Sequence, residues 1–428
     1  MNSCTVELFA DECWNEIARV SLHATQEHGW QAASMTIYEM GWAVDHMGAR
    51  DAYALCSGYP VSLELLLPPH WPVFLLDMLP QGFGRGELLR QLNLPETMTA
   101  AADWRLLQAG AGNPIGHLRI KEAAAWLQDH TGPRRGFTEE EVAQRSDGFM
   151  DHLGTHGLFV AGSSGVQGEW PKLLLTRAHD GLLYLDHSVN DADAVEHFIV
   201  KFGRGSNKRL AQILRHEAAY MAIAGHLGLR VHAPLRLRER ALFIPRFDRK
   251  FAGKRLIRLA QESIATLTGM PGFGAVPSHD QVCRALAETC TDPQAEILEY
   301  IKRDVANLAL TNKDNHARNT AVQRDFAGRI ALTPVFEFAP MYLHPDGIAR
   351  RTRWEADEGG RPDWRVIADT VSRDCELNRA ALVDGMRRMA PRLEAVARDA
   401  AKWRLEPDVH AFVAPHVTAQ AKALRKLK

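Results

Sequence analysis

The stretch at residues 311–319 constrains this chain more than any other part of its sequence. It reads Thr-Asn-Lys-Asp-Asn-His-Ala-Arg-Asn, so polar or charged side chains occupy almost every position. An apolar, helix-like run at 301–310 precedes it. An alternating, strand-like run at 329–336 follows it and ends at a carboxylate, Glu337. The pattern predicts a polar loop held between a buried helix and a strand.

Within this loop, Asp314 stands five residues before Asn319. In phosphoryl-transfer enzymes of the protein-kinase kind, an Asp at this spacing takes the proton of the acceptor hydroxyl, and the Asn binds Mg²⁺. The spacing suits one short loop that must direct a carboxylate at the acceptor and an amide at the metal. The alternative interpretation is an ordinary polar loop in which Asn315 and Asn319 are turn or cap residues.

Three further features follow in the order that a kinase-like fold requires. A Gly/Ser loop at 162–165 would let backbone N–H groups approach phosphates. Lys201 lies in an apolar strand-like run, from which it could reach ATP phosphates and pair with Glu217 of the next predicted helix. The segment at 245–249 follows a strand and could join two lobes, with Asp248 near a ribose. Taken singly, these features also fit a surface turn, a half-exposed strand and a solvated charge pair.

The composition excludes several classes of protein. An apolar fraction of 46% and a charged fraction of 24% are typical of a globular protein. The formal net charge of −1 gives no overall attraction to nucleic acid or to an anionic membrane. The six cysteines form no C-x-x-C pair, and no signal peptide or membrane-spanning run is present, so we expect a reduced, cytoplasmic protein.

The length of the chain and its turn-forming segments predict the domain organisation. A chain of 428 residues is too long for one ordinary hydrophobic core. Turn formers and charges concentrate at residues 131–136, which is the best candidate for a linker. We predict an N-terminal subdomain at 1–131, an ATP-binding lobe at 137–250, and a helical lobe with the polar loop at 251–428.

Hydrophobic periodicity predicts several elements of these lobes. Apolar residues at helical spacing predict a helix at 210–227, and Gly228 predicts its end. Two short apolar runs at 181–185 and 197–202 predict a pair of strands that form a hairpin. From residue 281 onward the pattern is mostly helical.

Several segments together resemble the HipA family of bacterial serine/threonine kinases, which are known as toxins of type II toxin–antitoxin modules. The matching segments are 75–82, 113–119, 165–167, 171–175, 198–201, 217–221, 228–231, 246–249, 261–262 and 314–319. The resemblance extends over most of the chain. The resemblance implies a two-lobed, protein-kinase-like α+β fold with a mixed N-terminal lobe and a mainly helical C-terminal lobe.

The resemblance also implies ATP and Mg²⁺ as cofactors, and it assigns roles to individual residues. The implied catalytic base is Asp314, the metal ligands are Asn319 and Glu337, the ATP-binding residues are Lys172, Lys201, Phe247, Asp248 and His316, and the autophosphorylation candidates are Ser163 and Ser164. The sequence departs from the family where the metal-binding Asp is replaced by Glu337. The extra methylene moves the carboxylate by roughly 1.5 Å, and Mg²⁺ tolerates poor octahedral geometry badly.

This departure leaves a second function open, that of a pseudokinase or nucleotide-binding regulator that acts through a partner. For the kinase, the implied substrate is a protein Ser or Thr, and some family members phosphorylate an aminoacyl-tRNA synthetase. The implied partner is a small DNA-binding antitoxin. A third interpretation is therefore a DNA-associated regulator in complex with such an antitoxin, although the near-neutral charge predicts no direct binding of nucleic acid by this chain.

Overall fold

The structure is a computed structural model, and it describes residues 2–23, 26–95, 100–155, 170–203, 206–274 and 276–428. The autophosphorylation candidates Ser163 and Ser164 lie outside the described residues. In the part of the chain that is described, no helix has both the length and the apolar character needed to cross a membrane.

The described elements alternate between strands and helices in the first half of the chain and are mainly helical afterwards. The strands are β1 (Ser3–Ala10), β2 (Cys13–Leu22), β3 (Ser34–Tyr38), β4 (Leu118–Ile120), β5 (Lys172–Ala178), β6 (Leu183–Leu185), β7 (Ala194–Phe202), β8 (Arg236–Arg238), β9 (Ala241–Pro245), β10 (Arg249–Ala252), β11 (Arg255–Arg258), β12 (Ala260–Ser263), β13 (Ala321–Arg324), β14 (Ile330–Leu332), β15 (Asp357–Glu358) and β16 (Arg361–Pro362). The α-helices are α1 (Met40–Asp45), α2 (Phe74–Met78), α3 (Gly82–Gln91), α4 (Asp103–Gly110), α5 (Lys121–His130), α6 (Glu139–Gln144), α7 (Asp147–Thr155), α8 (Lys208–Leu227), α9 (Ile264–Leu267), α10 (His279–Thr289), α11 (Pro293–Ala309), α12 (Trp364–Asp374), α13 (Arg379–Arg387), α14 (Ala390–Arg398) and α15 (Pro407–Arg425).

The N-terminal part is built on an antiparallel sheet with the strand order β3-β2-β1-β4. Helices α2, α4 and α5 contribute buried apolar residues to the core beside this sheet. Trp71 and Trp104 lie at its centre, fully buried and edge to face with their ring centroids 5.1 Å apart. The edge-to-face contact between the two rings stabilises the subdomain in addition to the hydrophobic effect of burying them.

The second sheet has the antiparallel order β6-β5-β7-β9-β8. The predicted hairpin of 181–185 with 197–202 is wrong, because β5 lies between these two strands and pairs with both. Periodicity identifies a strand but does not specify its neighbour. The observed order sets Lys172 of β5 directly opposite Lys201 of β7.

Helix α8 confirms the predicted helix at 210–227, with one additional half-turn at its start. Its N-cap residue Asn207 accepts hydrogen bonds from the backbone N–H groups of Arg209 and Leu210, at 2.9 and 3.2 Å. The helix ends at Gly228, whose φ of 83° is a conformation that glycine adopts readily. The buried face of α8 carries Glu217 toward the lysines of the second sheet.

The C-terminal part is mainly helical, as predicted. Asp292 caps α11, and Pro293 occupies its first turn. The polar loop follows α11 and leads into β13 and β14. Strand β14 ends at Leu332, earlier than the predicted run at 329–336, so Glu337 lies in irregular backbone beyond the strand.

A fully buried guanidinium holds the N-terminal part against the C-terminal part. Arg324 donates to the backbone carbonyls of Arg50, Ala54 and Leu55 at 3.1–3.3 Å. Its Nε lies 3.3 Å from Oε2 of Glu262, which also accepts from the Ser57 backbone N–H at 3.0 Å. Removing any one partner would leave a buried polar group without compensation.

Separate hydrophobic clusters underlie the N-terminal sheet, the second sheet and the C-terminal helices. Helix α8 lies within the predicted lobe at 137–250, but it packs against the C-terminal helices, because Tyr220, Ile223 and Leu227 belong to the C-terminal core. The three predicted domains at 1–131, 137–250 and 251–428 stay a prediction.

Candidate active site

A deep cavity lies where the second sheet, the N-terminal part and the polar loop meet. Its empty volume is about 1470 Å³, including space open to solvent. Apolar side chains line one part of it, namely Ile199, Met221, Leu235, Ile244, Phe247 and Phe336. Charged and polar side chains also line it, among them Lys172, Glu217, Asn319 and Glu337, which are called the polar part below. The cavity thus combines an apolar region with a polar one.

Two lysines and two glutamates form one ion network at the polar part. Oε1 of Glu337 lies 2.5 Å from Nζ of Lys172, and Oε2 lies 3.1 Å from Nζ of Lys201. Lys201 also donates to Oε2 of Glu217 at 2.7 Å, which confirms the predicted ion pair between strand and helix. Because like charges placed directly opposite on a sheet repel each other, Glu337 stabilises the lysine pair by accepting from both.

Burial and charge compete at each of these groups. Burial alone would raise the pKa of the Glu337 carboxyl, but Lys172 and Lys201 outweigh it and hold that pKa below its usual range. Burial alone would lower the pKa of Lys201, but Glu217 and Glu337 outweigh it and raise that pKa. For Glu217, burial is the largest effect and raises the pKa. The network therefore keeps Lys201 and Glu337 charged.

Glu337 reaches both lysines from a backbone conformation that L-residues rarely adopt. Its φ is 51°, in the left-handed region. Thr311, at the start of the polar loop, has a similar φ of 54°. Such conformations persist where the surrounding structure fixes them, and they concentrate at functional sites.

Hydrogen bonds within the polar loop join Asp314 to Asn319. Nδ2 of Asn319 donates to the Asp314 carbonyl at 2.8 Å, and its backbone N–H donates to the His316 carbonyl at 2.9 Å. Nε2 of His316 lies 3.5 Å from Oδ1 of Asp314, and burial lowers the pKa of this imidazole. Asn319 lines the cavity, whereas Asp314 and His316 are not among its lining residues.

The structure assigns Arg318 a contact that the sequence did not suggest. Its Nη1 donates to Oδ1 of Asp77 in α2 at 2.6 Å, and the residue also lines the cavity. Asp77 also accepts from the backbone N–H and hydroxyl of Ser263, at 2.9 and 2.7 Å, and from the Thr266 hydroxyl at 2.8 Å. A carboxylate of the N-terminal part thus holds the polar loop.

Asp248 lines the cavity, but its carboxylate is already engaged. Arg246 binds it in bidentate fashion at 2.9 and 2.7 Å. Arg249 and the Gly116 backbone N–H donate to Oδ2 at 2.7 and 2.8 Å. These contacts join the 246–249 segment to the turn at 113–116, and a contact of Asp248 with a ribose stays a prediction.

The oxygen donors at the polar part fit Mg²⁺ only as an incomplete protein site. Among the described residues, no group of three or more His, Cys, Asp or Glu side chains could hold a metal ion. Asn319 and Glu337 supply an amide and a carboxylate oxygen beside the same cavity. This suits Mg²⁺, which commonly binds one or two protein oxygens and takes its other ligands from phosphates and water.

A strand Lys paired with a helix Glu beside a cavity is an arrangement typical of kinase-like folds. The chain belongs to the HipA family, because the family model described as the HipA-like C-terminal domain matches residues 164–402, more than half of its length. The predicted family and the predicted two-lobed α+β fold are confirmed.

Several solved structures match this chain, among them the following two. HipA of Shewanella oneidensis MR-1, in a complex with HipB and operator DNA, aligns with a TM-score of 0.66 at 18% identity, covering 99% of this chain and 97% of that chain. At this identity the likeness concerns the fold alone. The proinflammatory kinase CtkA of Helicobacter pylori aligns at 14% identity over 54% of this chain and 84% of that chain, and its TM-score of 0.34 is too low to establish a shared fold. No curated protein matches the chain.

Proposed function

We propose that this chain is an ATP- and Mg²⁺-dependent serine/threonine protein kinase of the HipA toxin type. The observation that carries the proposal is the ion network of Lys172, Lys201, Glu217 and Glu337 beside a cavity that also contains Asn319. Membership of the HipA family supports the same function.

The division of the cavity supports binding of ATP. The apolar region around Ile199, Ile244 and Phe247 suits a planar purine base. Lys172 and Lys201 would neutralise phosphate oxygens, with Glu217 fixing the position of Lys201. The role of these residues is therefore to bind and orient the triphosphate, which is most of what catalysis of phosphoryl transfer requires.

The polar loop and Glu337 would bind the metal ion and the acceptor hydroxyl. Asn319 and Glu337 would hold Mg²⁺, which when bound neutralises charge on the phosphates. Asp314 would accept the proton of the substrate hydroxyl as that oxygen bonds to the γ-phosphorus and the bond to the ADP oxygen breaks. His316, 3.5 Å from Asp314, would help to orient its carboxylate.

Intact mass of the purified chain after incubation with Mg-ATP tests this function. The parent chain is expected to gain phosphoryl groups, at Ser163 or Ser164, and Asp314→Ala is expected to gain none. Asp45→Ala removes an exposed carboxylate far along the chain and serves as the matched control. Undiminished transfer by Asp314→Ala would remove Asp314 as the base.

A pseudokinase or nucleotide-binding regulator is the second candidate, and the geometry of Glu337 favours it. This longer carboxylate replaces the family's Asp and is shared between two lysines. Glu337→Asp discriminates between the two candidates. A large rise in transfer above the parent would identify the native site as detuned, whereas a fall would identify Glu337 as a working ligand.

We further propose a protein substrate, for which an aminoacyl-tRNA synthetase is a candidate, and a small DNA-binding antitoxin as partner. The similar Shewanella structure contains HipB and operator DNA, which supports the second proposal. The near-neutral charge of the chain predicts that DNA binding comes from the partner. A steep salt dependence of DNA affinity for the chain alone would contradict this.

A further inference from the structure

The segment at residues 350–354 lies against the polar loop that contains Asp314. The Asn315 side chain joins the two, because its Nδ2 donates to the Thr352 carbonyl at 2.8 Å and its Oδ1 accepts from the Arg351 backbone N–H at 3.1 Å. These paired bonds resemble one rung of an antiparallel sheet. They hold the backbone of Arg351 against Asn315, which directly follows the proposed base Asp314 in the sequence.

A buried carboxylate fixes the same segment from its other side. Asp304 accepts from Nη2 of Arg350 at 2.8 and 2.7 Å and from the indole Nε1 of Trp354 at 2.8 Å. The Arg353 carbonyl accepts from the His279 backbone N–H at 2.9 Å. Both ends of the segment are therefore anchored to helices α10 and α11.

Burial alternates along this anchored segment. Thr352 and Trp354 are buried, whereas Arg351 and Arg353 are exposed. Lys313, two residues before Asn315 on the polar loop, is exposed as well. Within the described ranges, none of these three cations forms an ion pair. Lys313, Arg351 and Arg353 are called the basic rim below.

The basic rim lies beside the loop that carries the proposed base. Asn315, whose side chain bonds the Arg351 backbone, is the next residue along the chain after Asp314. A peptide whose hydroxyl approaches Asp314 would therefore pass close to the exposed cations of the rim. Such charges select partners of opposite charge and speed their association.

We propose that the basic rim binds an acidic segment of the protein substrate, in which Asp or Glu residues flank the acceptor Ser or Thr. This inference rests on the proposed kinase function and names its substrate class. Residues two apart in an extended chain lie about 7 Å apart on one face, so Arg351 and Arg353 match alternate carboxylates of an extended peptide. The guanidinium fork suits carboxylates because it binds both oxygens.

The charge of the chain favours a peptide over a nucleic acid at the basic rim. The rim consists of three cations on a chain whose formal net charge is −1. A surface that binds a nucleic-acid backbone is commonly more basic than this. An acidic stretch of a few residues matches the three cations.

The test compares peptides that differ only in the residues around a single Ser. The full chain is given Mg-ATP and peptides with Glu, Gln or Lys in the flanking positions. We expect the highest kcat/KM for the Glu peptide, and a preference that weakens with added salt. The double variant Arg351→Gln/Arg353→Gln is expected to lose roughly tenfold in this preference, through KM, as two exposed ion pairs allow. Arg365→Gln/Arg387→Gln, at exposed helix positions, is the matched control and keeps the preference.

Three results would overturn the inference or separate its failure from that of the kinase function. A double variant that keeps the Glu preference overturns it. So does a variant that loses affinity for an oligonucleotide while its peptide preference stays unchanged, because the rim would then be a nucleic-acid site. If the parent chain neither gains phosphate itself nor phosphorylates any peptide, the kinase function fails. Fluorescence anisotropy of labelled Glu and Gln peptides then tests directly whether the basic rim binds acidic peptides. Equal affinities for the two peptides overturn the inference.

Discussion

Replacing Asp77 by alanine removes the acceptor of four hydrogen bonds at the junction between the N-terminal part and the polar loop. The donors are the Arg318 guanidinium, the Ser263 hydroxyl and backbone N–H, and the Thr266 hydroxyl. The side chains of Asp77 and Arg318 are 20% and 9% exposed, so water can replace the carboxylate only in part. The substitution leaves a buried cation without its partner.

The expected loss follows from these contacts. A hydrogen bond to a charged group contributes about 1.5–3 kcal/mol, and the neutral donors less, with incomplete additivity. We expect Asp77→Ala to lower the free energy of unfolding by about 2–4 kcal/mol. Under conditions where the variant remains folded, kcat should fall roughly tenfold or more, because the loop that carries Asp314 and Asn319 is no longer held in place.

Urea unfolding and phosphoryl transfer of the same preparations provide the assay. Glu87→Ala is the matched control, since Glu87 forms an exposed ion pair with Arg90 and is expected to cost about 0–1 kcal/mol. If Asp77→Ala unfolds like Glu87→Ala, the contact does not stabilise the junction. If it is destabilised but retains full kcat, Asp77 is not a positioning residue for the loop.

Further predictions concern buried contacts and pH. Arg324→Met should cost about 3–5 kcal/mol in urea unfolding, because it leaves Glu262 buried and uncompensated. Gly112→Ala should cost about 1–3 kcal/mol, since its Cβ would meet the Ala123 carbonyl, whereas Gly86→Ala, with open space around it, should stabilise by about 0.5–1 kcal/mol; equal values would refute the packing argument. Burial lowers the pKa of His117 from 6.5 to about 3. Below pH 6.5 the unfolded chain therefore binds more protons than the folded chain, and the free energy of unfolding decreases as the pH decreases. The loss at pH 5 should be about 2 kcal/mol, and His117→Gln should flatten the urea-unfolding profile between pH 7 and 5.

Local patterns predicted the elements near the site better than the contacts between them. The helix at 210–227 and its end at Gly228 followed from apolar spacing and from the conformational freedom of glycine. The helix depends on residues close together in the chain, where periodicity is informative. The pair of Lys201 with Glu217 was predicted from the protein-kinase arrangement, in which a helix Glu holds a strand Lys.

Contacts between distant parts could not be predicted in this way. Asp77 and Arg318 are 241 residues apart, and no periodic pattern joins them. The position of β5 between β6 and β7 depends on the sheet as a whole, so the hairpin prediction failed. Glu337 contacts both lysines from a left-handed backbone conformation. Non-glycine residues rarely adopt this conformation, so the sequence does not predict it.

The sharing of Glu337 between Lys172 and Lys201 has a thermodynamic consequence for ligand binding. A divalent cation that takes this carboxylate must displace ammonium groups held at 2.5 and 3.1 Å, and a triphosphate offers those lysines replacement anions. If the chain binds both, each ligand is expected to raise the affinity for the other by the same factor. Calorimetric titration with Mg²⁺ should show weak binding without nucleotide and much tighter binding with a nonhydrolysable ATP analogue. The site would then act as a coincidence detector that responds to the metal–nucleotide pair rather than to either component.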